Sequence, residues 1–292
     1  MFKLDSELSS SKKLFVIILC FCLGFIGSSC IVGVLYFFVK GEVAGKILLI
    51  LSSILSFGLP AAVAAVFIGR NKNPFGYIGM TSSPGFVRYI LIIVFMLALM
   101  PTIEFLSSLN ASYSFPDSMK GLEDIFRKID EQTVESTRVA LSGSGIWMFI
   151  LNLITIAITP AICEEMFFRG ILQRFFTDTM KNKHVAILLT AFIFSAIHIQ
   201  FSGLLPRFIL GAILGYLFYY SKSLWSSIAA HALNNALVVC LVYFGASDVA
   251  EFADLETFAN PWWIAAIVGG LAIAALIGRM LFRKNKVDNA LE

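Results

Sequence analysis

Carboxylates, imidazoles and amides are costly to hold inside apolar helices, and this chain holds them there in three groups. The first is Glu164-Glu165-Met166-Phe167-Phe168-Arg169, the second Phe194-Ser195-Ala196-Ile197-His198, and the third His231-Ala232-Leu233-Asn234-Asn235. An ionisable side chain at the centre of a spanning helix costs several kcal/mol, so each marks a functional candidate by default. Of only three histidines in the chain, two fall in these groups.

Helical geometry gives each group a job. Glu165 and Arg169 are four residues apart and share a face, where they can form an ion pair. Glu164 is turned about 100° from its neighbour and is free for another partner. Phe194 and His198 share a face, so the ring can wall one side of the imidazole. His231 and Asn235 also share a face, one turn apart. Depth brings most of these groups together. At about 1.5 Å per residue, Glu164 lies about 18 Å from the inner end of its apolar run at Phe176. His198 lies about 20 Å from Val185, Asn235 about 17 Å from Leu224, and His231 about 11 Å from the same end.

A buried carboxylate beside an imidazole is equipment for activating water. On this spacing Glu164 and His198 supply the base, and His231 and Asn235 donate to the oxyanion of a tetrahedral intermediate. The alternative is a catalytic zinc held by Glu164, His198 and His231, with an open position for water. Both routes hydrolyse. No HExxH is present, no Asp lies mid-span, and Gly143-Ser144-Gly145 sits at a span end where a loop is expected. An ion carrier would need more intramembrane carboxylates along a path, and Glu104 is the one further candidate.

The elements that must position these groups are membrane helices. The chain has 292 residues, 58% of them hydrophobic and 14% charged, with a mean hydropathy of +0.85. Charged content is well below the roughly 25% of soluble domains. The expected fold class is all-α, a polytopic transmembrane bundle of about eight spans, in one membrane domain over 1–292. The expected spans are Leu14–Phe38, Ile47–Gly69, Tyr89–Leu109, Trp147–Phe176, Val185–Phe201, Leu204–Tyr220, Leu224–Phe244 and Trp262–Phe282. The fourth is long and interrupted and the fifth and sixth are short, which leaves seven or nine as the other counts. The first run is too long for the apolar region of a secretory signal, so it is expected to be retained. The final Asn-Ala-Leu-Glu has no prenylation cysteine.

Net charge is +3, too small to point to nucleic acid. The five cysteines form no CxxC pair and are read as small apolar residues. With both termini inside, 15 of the 22 Lys and Arg fall on the inner side and 7 on the outer. The last outer loop supports this, with Asp248, Glu251, Asp254 and Glu256 and no basic residue. Both termini are therefore expected in the cytoplasm. The sizeable loop Asn110–Gly145 places Met119, Leu122, Ile125, Phe126 and Ile129 at helical spacing, which predicts an amphipathic helix on the outer surface or capping the bundle. Asn110-Ala111-Ser112 matches a glycosylation sequon, a pattern frequent by chance.

Read in order as EExxxR, FxxxH and HxxxN, the three groups resemble the CPBP family of intramembrane proteases. That family includes the CAAX prenyl endopeptidases of the Rce type and the bacterial Abi proteins. Pro160 before the glutamates and Gly170 after Arg169 are similar too. The resemblance covers a catalytic core over about 147–244. It implies an eight-helix bundle in which Glu164 and His198 activate water, His231 and Asn235 stabilise the oxyanion, and Arg169 organises the residues behind them. Members are commonly labelled metalloproteases, although a metal-independent glutamate mechanism has been proposed for them. The implied partner is a membrane-associated protein or peptide in the lipid bilayer, and the implied location the bacterial inner membrane. The substrate can be a CAAX protein, a lipoprotein, a bacteriocin-like peptide or another membrane protein. The competing function is a non-proteolytic membrane scaffold or bacteriocin self-immunity factor built on the same bundle.

Overall fold

The computed structural model describes residues 8–69, 73–245 and 255–282, and no strand occurs among them. Among the described residues nine helices longer than one turn carry the fold: α1 Ser10–Phe38, α2 Glu42–Gly69, α3 Phe86–Ala111, α4 Lys120–Leu141, α5 Ile146–Thr179, α6 Lys183–Ala196, α7 Leu204–Ser221, α8 Leu224–Tyr243 and α9 Pro261–Leu281. All but α4 and α6 are long and apolar enough to cross a membrane.

The span expected over Val185–Phe201 is realised differently. Helix α6 has 14 residues, about 21 Å of rise against a hydrocarbon core of about 30 Å. The chain leaves the helix after Ala196 and reverses at Ile199, which takes a left-handed φ of 55°. A β-branched residue pays for that conformation, so neighbours must impose it. Ser195 Oγ donates to Leu204 O at 2.6 Å, closing the loop at its base. Asn110 at the end of α3 donates to Phe201 O at 2.5 Å and accepts from Leu205 N at 3.1 Å. The Asn110 amide, which begins the sequon, is thus spent on the loop.

Hydrogen bonds sort the helix ends into two levels. At one, Lys46 Nζ near the start of α2 donates to Ala140 O at 2.6 Å and to Asn152 Oδ1 at 2.5 Å, while Asn152 Nδ2 donates to Leu141 O at 2.9 Å. The loop after α6 lies here, tied to Asn110. At the other level, Trp225 Nε1 donates to Met80 O at 2.8 Å and Arg88 to Leu281 O at 2.5 Å. Helix α6 follows the second-level end of α5 and leads to the first. The chain therefore alternates direction through seven long helices and one short one.

Helix α4 caps the first level. Phe126 faces Phe201 with ring centroids 5.6 Å apart, and Asp130 Oδ2 accepts from Ser202 N at 3.1 Å. Met119, Leu122 and Ile125 stay exposed on its other edge. Of the charges that orient the bundle, Lys3, Arg70, Lys72, Asp248, Glu251, Asp254, Arg283, Lys284 and Lys286 lie outside the described residues.

Candidate active site

The first motif sits on a helix that is not uniformly α. Within α5, π-helical turns run over Leu153–Ile158 and Met166–Gln173, flanking the α-helical Thr159–Glu165. Pro160 gives a local reason for the first. It has no N–H for the carbonyl four residues back, and its ring crowds that carbonyl, so the helix widens. Helix α2 repeats the device, with a π turn over Ile54–Gly58 and then Pro60. The carbonyl that Pro160 cannot engage is that of Ile156, and Asn235 Nδ2 on α8 donates to it at 3.3 Å.

Behind the site lies a buried polar array, in which Glu165 Oε2, Arg169 Nε and Gln173 Oε1 have no hydrogen-bond partner among the described residues. Glu165 and Arg169 are both 0% exposed, and Arg169 Nη1 donates to Glu165 Oε1 at 2.7 Å. His231 Nδ1 on α8 meets the same Oε1 at 3.0 Å. Arg169 Nη2 donates to Gly211 O at 3.0 Å, and one turn on, Gln173 Nε2 donates to Gly215 O at 2.9 Å. The two glycines on α7 let the helices approach this closely. A Cβ on Gly215 would stand 2.7 Å from Gln173 Oε1 and from Ile187 Cγ2. Two charges this far from water are tolerated only when paired and hydrogen-bonded, and the array does both.

Phe194 on α6 joins the array to the second histidine. Arg169 lies 4.6 Å from its ring centroid, His231 meets it edge-on at 5.7 Å, and His198 at 5.3 Å. The ring therefore walls one side of each imidazole. His198 follows the C-terminal turn of α6, where carbonyls lose their helical donors. Its Nδ1 bonds to Phe194 O at 2.8 Å, so Nε2 is the nitrogen left for chemistry.

Accessibility splits the six candidates into two sets. Glu165, Arg169 and His231 are buried, whereas Glu164, His198 and Asn235 are half-buried. Glu164 makes no hydrogen bond to the described residues and lies within electrostatic reach of His231, Glu165, Arg169 and Arg207. His198 is within reach of Arg207 and His231. Among the described residues, no three His, Cys, Asp or Glu side chains stand close enough to hold a metal, the Glu164–His198–His231 set included. As placed, these residues do not fit a zinc site.

Three features escaped the sequence reading. The His231–Glu165 contact joins residues 66 apart, and no spacing rule reaches that far. Gln173 extends the Glu165–Arg169 spacing by four residues and was detectable as a third polar residue on that face. Arg207, in the first turn of α7, counted as a loop charge, yet it is a basic residue near Glu164 and His198.

A helical membrane bundle that shields one carboxylate and leaves its neighbour open is the class of protein this geometry defines. Comparison narrows that class. Over residues 146–237 the chain matches the family model described as type II CAAX prenyl endopeptidase Rce1-like. No curated protein and no solved structure matches the chain.

Proposed function

We propose that this protein is an integral-membrane endopeptidase that hydrolyses a peptide bond of a membrane-associated protein or peptide. The observation that carries it is the division of labour between adjacent glutamates. Glu165 is consumed by Arg169 and His231, which leaves Glu164 unpaired within reach of other polar groups. An unpaired carboxylate there contributes nothing to stability, and a water-activating base needs to be unpaired.

In this mechanism Glu164 takes a proton from water as the oxygen attacks the scissile carbonyl, with His198 Nε2 assigned to help orient that water. The proton then passes to the leaving amine. His231 donates from Nδ1 to Glu165, so its Nε2 donates to the oxyanion in the doubly protonated ring, whose charge the Glu165 carboxylate balances. Asn235 spends one amide hydrogen on Ile156 O and has a second for the same oxyanion. Arg169 acts through Glu165 and Phe194 as a positioning residue. The catalytic core is residues 147–244, and both termini face the cytoplasm, which puts α4 over the outer mouth. Zinc is the other source of an activated water, but no step is routed through it because the three side chains do not gather.

The test is cleavage of a broad peptide and membrane-protein panel by detergent-purified protein, wild type against Glu164→Ala, with and without chelator. Activity that disappears in the variant and survives chelation is expected. Activity abolished by chelator and restored by zinc replaces the glutamate mechanism with a metal one. A folded wild type that cuts nothing on the panel turns the assignment toward the scaffold.

A further inference from the structure

Arg207 belongs to none of the three motifs, and four observations set it apart. Its guanidinium lies against Gly203: a Cβ there would stand 2.5 Å from Cζ and Nη1 and 2.7 Å from Nη2. Gly203 has a φ of −101°, which any residue can adopt, so the glycine provides space and not backbone freedom. Nη2 donates to Gln200 Oε1, which fixes the plane of the fork. Nη1 is buried and has no hydrogen-bond partner among the described residues.

The fourth observation is what surrounds that orphan donor. Arg207 feels the charges of Asp130 on α4 and Glu164 on α5, yet forms an ion pair with neither. Asp130 spends Oδ2 on Ser202 N, and its Oδ1 is buried and unpartnered as well. A guanidinium that served only as a structural counter-ion would close onto one of these carboxylates. This one is held short of both, by Gln200 and by the space over Gly203, with an N–H edge left over.

We propose that Arg207 is a specificity residue that binds a carboxylate of the peptide substrate next to the scissile bond; this rests on the hydrolase assignment above. Guanidinium and carboxylate match as fork to fork, and a fork already oriented loses little freedom on binding. The local charge favours a singly charged group over a phosphate. Asp130 and Glu164 already stand near one guanidinium, and a dianion would add repulsion that a carboxylate largely avoids. Arg207 also offsets the repulsion between an incoming carboxylate and Glu164, which the mechanism requires to be ionised. The carboxylate can be the peptide's C-terminus or an Asp or Glu side chain.

The experiment measures binding, so it needs no turnover. Four fluorescein-labelled apolar pentapeptides are titrated against the full-length protein in detergent. One has a free C-terminus, one is its C-terminal amide, and two more are amides with an internal Glu or an internal Gln. Wild type is expected to bind at least one carboxylate-bearing peptide about 10- to 100-fold more tightly than its neutral counterpart. Which one it prefers identifies the C-terminal or side-chain source. Arg207→Gln is expected to erase the preference and leave binding of the neutral amide unchanged. Gly203→Ala, which displaces the guanidinium without removing it, is expected to erase most of it. Equal binding of charged and neutral peptides by folded wild type overturns the proposal, as does a preference that survives in Arg207→Gln. A preference in a protein that cleaves nothing upholds the site and removes the hydrolase assignment; cleavage without a preference does the reverse.

Discussion

Separating Glu165 from Glu164 has a thermodynamic consequence that a double-mutant cycle can measure. Glu165 and Arg169 are 0% exposed, share a 2.7 Å contact, and have His231 on the same carboxylate oxygen. Glu165→Leu leaves a buried guanidinium with Gly211 O and the Phe194 ring but no counter-ion. Arg169→Met leaves a buried carboxylate with His231 alone. Stranding one buried charge costs about 3–5 kcal/mol, a fall in Tm of about 6–20 °C for a chain of this order of size. The double variant strands neither charge, and apolar replacement of a buried pair is often close to neutral. It should lie within about 2 kcal/mol of wild type, which makes the coupling at least about 4 kcal/mol. The assay is thermal or denaturant unfolding of all four proteins in one detergent, with cleavage measured alongside. The two variants that lack Glu165 are expected to be inactive, because His231 loses the orientation set by Glu165 whether or not the charges balance. Single-variant losses that add to within about 0.5 kcal/mol in the double would refute the reasoning.

Ile199→Gly removes a strained left-handed turn and should leave stability equal or up to about 1 kcal/mol higher. Turnover should nonetheless drop as His198 loosens; a kcat equal to wild type counts against the turn as a holder of that ring. Gly215→Ala drives a methyl into Gln173 and Ile187 and should cost about 1–3 kcal/mol by overpacking, read as a lower Tm. An unchanged Tm would mean that α5 and α7 are not held at the observed distance. Lys46→Met orphans Ala140 O and Asn152 Oδ1 and should release the end of α4, so that protease nicks residues 142–145 sooner. An unaltered digestion pattern would show that α4 is held by its other contacts.

The parts legible in the sequence are the local ones. Apolar run length located seven long helices, and the spacing from Met119 to Ile129 located the amphipathic cap. The four-residue offset placed Glu165 against Arg169 and Phe194 against His198, because such pairs depend only on helix geometry. The end of α6 was not legible. No Gly, Pro or Asn marks Ile199, and the turn is imposed from outside by Asn110 and Asp130, 89 and 69 positions away in sequence. The placement of His231 and Asn235 followed only partly. Their common face was readable, but that one meets Glu165 and the other the carbonyl freed by Pro160 depends on how α8 packs on α5. Arg207 was hidden by its position, since a charge in the first turn of a span reads as interfacial until Gly203 and Gln200 are seen to hold it.

If Glu164 activates water for direct attack, single-turnover cleavage in oxygen-18 water will show where the new oxygen goes. The substrate is whichever panel member the wild type cuts. One heavy oxygen is expected in the newly formed carboxyl terminus and none in the Glu164 side chain, with no cleavage by a Glu164→Gln variant that unfolds at the wild-type temperature. Heavy oxygen in the Glu164 side chain, or cleavage by Glu164→Gln at the wild-type rate, would contradict that role for Glu164.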